Sequence, residues 1–220
     1  MKIVLLLSGG LDSSVLLYHL LGCQHEVIAL SALYGQRHNR ELDASVRIAV
    51  ATKIEYHQID LSEFGNLVDS ALTTPGIKVP QGDYTPETLK ATIVPNRNAL
   101  LLSAAFGLAF SRDAFAVAYA AHTGDHAIYP DCRLEFIYAF EKAMKLAWFP
   151  EKEVKLMAPF ATFTKTQIVR LGSTLDVPFE LTYSCYIGKE KHCGKCSTCR
   201  ERRKAFVEVG VTDPTEYEEK

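Results

Sequence analysis

Ser8-Gly9-Gly10-Leu11-Asp12-Ser13-Ser14 follows five apolar residues, 3–7, and opens a segment with Val15, Leu16, Leu17, Leu20 and Leu21 at helical spacing that ends at Gly22. An apolar run, a two-glycine turn and an amphipathic helix make the first βα unit of a parallel sheet. The turn has a chemical use. Glycine lets main chain approach a ligand with no Cβ in the way, and a helix start presents free N–H groups and the positive end of its dipole. Leu7, Ser8, Gly9, Gly10, Leu11, Asp12, Ser13 and Ser14 are therefore expected to receive phosphate oxygens. The plain alternative is a turn in which Asp12 or Ser13 only caps the helix.

The turn lacks the Gly-Lys-Ser/Thr ending of a Walker loop and the spaced glycines of a dinucleotide fingerprint. SGGLDSS at the end of a first strand instead resembles the pyrophosphate loop of the ATP pyrophosphatase superfamily. What that resemblance implies is activation of a carboxylate, amide or carbonyl oxygen with AMP, the departing pyrophosphate being held in the loop.

Two hundred and twenty residues, 48% apolar and 23% charged, fit a globular chain able to bury a core without disulfides. A net charge of −2 gives no general pull toward nucleic acid or an anionic membrane. Residues 3–7 are too few for a secretion signal, and no stretch approaches the apolar length of a membrane span. A cytoplasmic protein with no membrane partner is expected.

Strands are expected at 26–33, 54–59, 114–118 and 154–157, and helices at 39–52, 99–111, 134–148 and 165–175, with a short one at 61–72. The alternation gives a five-stranded parallel sheet with helices on both faces, and in such sheets ligands sit at the carboxyl ends of the strands. That places the SGGLDSS turn and Tyr34-Gly35-Gln36-Arg37-His38 on one crevice. Val94-Pro95-Asn96-Arg97-Asn98 offers an anion-binding or substrate edge at the next helix start. Residues 73–92, punctuated by Pro75, Gly76, Pro80, Gly82 and Pro86, read as a mobile flap. His122, Asp125 and His126 read as hydrogen-bonding loop residues rather than a second metal site, and Cys132 as a packing residue. Lys165 in a first helical turn opposes the dipole, a charge better placed for phosphates than for stability.

Cys185, Cys193, Cys196 and Cys199 crowd into fifteen residues and run into a basic helix (Arg200, Arg202, Arg203, Lys204). Four thiolates from one tight loop close a tetrahedron around Zn²⁺ with no open position, the pattern of a structural site. An iron–sulfur cluster is the competitor. The chain is accordingly divided into an α/β domain, 1–180, and a small zinc-bound helical appendage, 181–220.

Together SGGLDSS, YGQRH at 34–38, VPNRN at 94–98, Tyr129-Pro130-Asp131-Cys132-Arg133 with Glu135, TKTQIVRLG at 164–172 and the four cysteines resemble the 7-cyano-7-deazaguanine synthase family of the queuosine and archaeosine pathways. Leu134 departs from the Pro or Asp common there. The resemblance implies an adenine nucleotide alpha hydrolase-like fold and a ligase that takes 7-carboxy-7-deazaguanine, ammonium and ATP to the nitrile through an acyl adenylate and an amide. It implies Mg²⁺ with the ATP, one structural Zn²⁺ per chain and a homodimer. Asp12, Arg97 and Lys165 are the catalytic candidates; Gln36, Arg97, Asn98, Tyr129, Asp131 and Arg133 are the substrate-binding candidates. No segment remains for a glutaminase domain, so free ammonium is the expected donor. The runner-up is a tRNA-modifying enzyme of the superfamily, for sulfur transfer or lysine attachment, disfavoured by the small size and acidic balance.

Overall fold

The structure, a computed structural model, describes residues 1–218 except 83, 84, 86–89, 127 and 128, and excludes the side chains of Asp125 and His126. Five strands, β1 (Lys2–Leu6), β2 (Glu26–Leu33), β3 (Glu55–Asp60), β4 (Ala116–Ala118) and β5 (Lys155–Met157), form one sheet in the order β3-β2-β1-β4-β5. All pairs are parallel, with Lys2 opposite Glu26 and Ile3 opposite Ala116.

Both faces are covered, which is why β1 reads as unbroken apolar sequence. Ile3 and Leu5 point to one core, shared with α1 (Leu11–Gly22), α2 (Arg40–Thr52), α6 (Lys165–Thr174) and α7 (Ser197–Val209). Val4 points to the other, under α4 (Arg97–Ser111) and α5 (Leu134–Leu146). The short α3 (Ser62–Leu67) lies between β3 and α4. The chain changes face between β1 and β4. A crevice therefore opens where these adjacent strands end, at residues 7–14 and 119–121.

The sheet and helix expectations are met to within a few residues, and two details differ. The expected helix from residue 61 is only Ser62–Leu67. The segment Lys90–Ser111 is long and apolar enough to cross a membrane, contrary to the sequence reading that no stretch approaches that length. Asn96, in a left-handed conformation at φ 55°, starts α4 inside that segment, and Leu102, Ala105, Phe106 and Ala109 bury its inner face against the sheet.

Residues 181–218 wrap back onto the main body. Phe206 and Ala205 of α7 join the core of β1 and α1, and the Tyr183 N–H donates to the Gly9 carbonyl at 2.9 Å. Buried Arg202 holds the tail: it pairs with Asp213 at 3.1 Å and donates to the Thr182 hydroxyl at 2.7 Å. Burial alone would raise the Asp213 carboxyl, but the guanidinium holds it below the usual range.

Candidate active site

The crevice encloses about 270 Å³. Its floor is the end of β1 and the turn after it: Leu7, Ser8, Gly10, Leu11, Asp12 and Ser13 line it. Gly10 is the N-cap of α1, and no side chain caps that helix, so neither Asp12 nor Ser13 does the capping of the plain alternative. The Ser8 and Ser13 hydroxyls lie 3.0 Å apart at the mouth of the turn. Gly9 and Ser14 lie outside the lining. Gly9 takes φ 81° and meets α2: a Cβ there would collide with the Glu41 carbonyl oxygen, so this glycine serves a close backbone approach rather than a ligand. Ser14 turns inward and donates to the Gly10 carbonyl at 2.7 Å.

Asp12 is the electrostatic centre of this end. Thr164 and Gln167 form a capping box that fixes the start of α6, and the next residue, Lys165, reaches Asp12 Oδ2 with Nζ at 2.6 Å. Lys165 also lies 3.5 Å from Glu201 of α7, so two carboxylates offset its unfavourable place in the helix dipole. His122 accepts from the Gly124 N–H at Nδ1, which puts its proton on Nε2, 3.8 Å from Asp12 Oδ2. Burial works to raise the Asp12 carboxyl, but Lys165 and then His122 hold it below its usual 3.8. Oδ1 of Asp12 is buried and has no hydrogen-bond partner among the described residues. An ionised oxygen with no donor suits a hard divalent cation.

The other end is aromatic. Arg97 lies 5.5 Å from the Tyr34 ring centre, with Tyr119, Tyr129, Tyr183 and Tyr186 around the same cavity. Burial disfavours the Arg97 charge, yet Tyr34, Tyr129 and Asp131 outweigh it and keep its pKa above the ordinary value. Gln36 lines the cleft while its Oε1 accepts from the Tyr34 N–H at 2.7 Å. Asn98, Tyr129 and Cys132 line it too, and the Asn98 amide lies 3.3 Å from the Cys132 sulfur. Asp131 and Arg133 stand outside the lining. The Asp131 carboxylate accepts the Asn98 backbone N–H at 3.1 Å and its side-chain amide at 3.2 Å, closing the start of α4 from a distant loop. Arg133 is exposed at the N-cap of α5.

Among the lining residues not singled out in the sequence for this cleft are Glu41, Thr198, Glu201 and Arg202. Burial pushes the Glu41 carboxyl up to about 7, against the pull of Arg97. Thr198, Glu201 and Arg202 come from α7, whose first residue follows Cys196. The sulfurs of Cys185, Cys193, Cys196 and Cys199 lie within 4.8 Å of one another, all buried. Backbone N–H groups of Cys193 and Cys196 point at Cys185 Sγ and Cys193 Sγ at 3.3 Å each, the arrangement that supports thiolate. Four soft ligands at that spacing can hold one metal ion. Of the three expected hydrogen-bonding loop residues, His122 takes the Gly124 N–H, and the side chains of Asp125 and His126 lie outside the described residues.

The loop expected to be a flap is partly described. Arg37 donates to the Thr74 and Ile77 carbonyls, and the Gly82 N–H donates to the Lys195 carbonyl at 2.9 Å, so the loop ties the YGQRH turn to the cysteine segment. Asp83 and Tyr84 lie outside the described residues.

A relative named 7-cyano-7-deazaguanine synthase from Caldicellulosiruptor bescii is 48% identical over 99% of this chain and 98% of its own. One of the same name from Rhizobium johnstonii is 47% identical over 100% of this chain and 93% of its own. Among solved structures, the NMN synthetase of Francisella tularensis superposes with a TM-score of 0.54 at 17% identity, over 96% of this chain and 72% of that one, a likeness of fold. The family model described as queuosine biosynthesis protein QueC matches residues 2–210, and the chain belongs to that family.

Proposed function

We propose that the protein is an ATP-dependent carbon–nitrogen ligase that converts 7-carboxy-7-deazaguanine and ammonium to 7-cyano-7-deazaguanine. The family match and the names of its full-length relatives support this reading over a tRNA-modifying one. What carries it in the molecule is a single cleft with the Asp12–Lys165 pair on the SGGLDSS turn at one end and an aromatic slot around Arg97 at the other. That is room for a triphosphate tail and a flat heterocyclic acid in one site.

A carboxylate is a poor electrophile, so it must first become an acyl adenylate. Here the first-turn N–H groups of α1, at Leu11, Asp12 and Ser13, and the Lys165 ammonium are the groups that would meet the departing pyrophosphate, and the gain is electrostatic. Asp12, with its unpartnered Oδ1, would hold Mg²⁺, which supplies charge neutralisation to the phosphates. Arg97 and the tyrosines orient the heterocycle, and Gln36 and Asn98 offer amide groups to its edge. Asp131 acts one step back, fixing Asn98. Ammonia gives the amide; activation of the amide oxygen and elimination give the nitrile. Free ammonium is the donor in this reading.

Cys185, Cys193, Cys196 and Cys199 would hold one Zn²⁺ per chain, a closed structural site. The division into 1–180 and 181–220 is then one of chemistry: a nucleotide-activating part and a metal-fixed wall that carries Glu201 and Arg202. Reduced thiols are needed there, which supports a cytoplasmic setting. A homodimer follows from the resemblance, and sedimentation of the purified protein tests it. Metal analysis with a visible spectrum separates zinc, colourless, from an iron–sulfur cluster. The activity test is direct: with ATP, ammonium and 7-carboxy-7-deazaguanine, mass spectrometry should find the nitrile. Product formed only with glutamine, or only on tRNA, would sink the reading.

A further inference from the structure

Beside the main cleft lies a second cavity of about 50 Å³, the size for one or two water-like molecules. Tyr34, Gln36, Glu41, Arg97 and Tyr186 line both spaces, so the small one is a side chamber of the large one. Glu41 is the carboxylate at this junction. Its backbone abuts Gly9, so it stands against the phosphate turn where the acyl adenylate would form.

We propose that the side chamber is the ammonium site and that Glu41 is the base that takes the proton from it; this rests on the ligase reading above. The chamber matches its guest in size and in chemistry. Tyr34, Tyr186 and one carboxylate line it, and the Gln36 Oε1, which accepts the Tyr34 N–H, keeps a second lone pair for a small cation. Arg97, which lines the same chamber, repels a second positive charge and so favours release of the proton to Glu41. Among the described residues, the other charged or titratable groups facing the chamber are Arg37 and His38, from the turn ahead of α2. The raised Glu41 carboxyl fits the role, since a base poised near neutrality can both take and return a proton.

The step balances. Ammonium gives one proton to the Glu41 carboxylate, and the freed lone pair forms the carbon–nitrogen bond. The carbon–oxygen bond to AMP breaks, with AMP taking the electron pair. The added nitrogen sheds a second proton to water as the amide forms, and Glu41 returns its own to solvent.

The test uses Glu41→Gln in the full chain and separates the two half-reactions. Exchange of labelled pyrophosphate into ATP, driven by 7-carboxy-7-deazaguanine without ammonium, should stay within about threefold of the parent. Ammonium-dependent turnover should fall by about 100-fold or more, the usual contribution of a general base. Hydroxylamine, uncharged at neutral pH, needs no such base, and hydroxamate formation by the variant should match the parent. Equal loss with both nucleophiles, or ammonium turnover close to the parent, overturns the assignment. A parent protein that shows no exchange at all overturns the ligase reading itself, and the role of Glu41 with it.

Discussion

The cleft holds two carboxylates, each near a cation, and they titrate in opposite directions. At the end formed by the SGGLDSS turn, Asp12 has an ammonium at 2.6 Å and a histidine at 3.8 Å, and its carboxyl is held below the usual range. At the aromatic end Glu41 has Arg97 across the same cavity, yet burial prevails and its carboxyl rises to about 7. The difference is contact. An ion pair at hydrogen-bond distance offsets the cost of leaving water; a guanidinium engaged elsewhere, over Tyr34, does not. One carboxylate is thereby fixed as a permanent anion, and the other is left able to change charge.

The largest break comes from disabling the four cysteines that can hold a metal ion. Glu201, which shares Lys165 with Asp12, stands on α7, and α7 begins at the cysteine cluster. Structural zinc contributes on the order of 10 kcal/mol to such a segment. Cys199→Ala, or a strong chelator, should therefore abolish adenylation, with trypsin cutting after the basic residues of 200–204. A metal-free protein that still exchanges pyrophosphate at the parental rate would detach the wall from the chemistry.

Lys165→Met comes next. It removes the contact that distinguishes the two carboxylates and leaves Asp12 with only the more distant His122, at 3.8 Å. Pyrophosphate exchange should fall by about 10³-fold, in line with loss of one group that meets developing phosphate charge. The effect should appear mainly in kcat, because such a group counts most in the transition state.

A smaller and sharper contrast lies in pH. Asp12 stays ionised at any pH well above its usual 3.8, so exchange should show no inflection from it across the neutral range. The amine step needs Glu41 as carboxylate, so ammonium-dependent kcat/KM should rise as pH increases through about 7. Glu41→Gln should lose that inflection, and Asp12→Glu should leave it in place.

How much of this could be read from the chain follows the range of the interactions. β1, its turn and α1 are contiguous, and four thiols within fifteen residues announce their chemistry locally. The Asp12–Lys165 pair spans 153 residues, and only the odd placement of a lysine in a first turn pointed to it. Glu41 had no signal of its own: an acid in the first turn of α2 reads as dipole-compatible, and its environment is set by Arg97 and Tyr186 from remote segments. Asp131 was chosen for its chemistry, but a carboxylate near an unsatisfied helix start finds backbone N–H groups first. Gly9 was assigned to the ligand because a glycine in a turn does not reveal which neighbour it makes room for.

The smallest expected effect is on stability, and its sign runs against that of most substitutions near an active site. Folding raises the Glu41 carboxyl from its usual 4.5 to about 7. Between those values the folded chain keeps a proton that the unfolded chain has released, so its contribution to stability is full below 4.5 and is lost as pH rises through 7. Above that point the ionised Glu41 costs the fold on the order of 2 kcal/mol, which glutamine avoids. Glu41→Gln should therefore melt about 5 °C above the parent at alkaline pH. The two melting curves should converge as pH falls toward 4.5, where both side chains are neutral. Asp12→Asn should do the reverse, since it discards an anion that Lys165 and His122 stabilise. Parallel melting curves for the parent and Glu41→Gln at every pH would mean that Arg97 satisfies Glu41 as fully as Lys165 satisfies Asp12, and the asymmetry of the cleft would be gone.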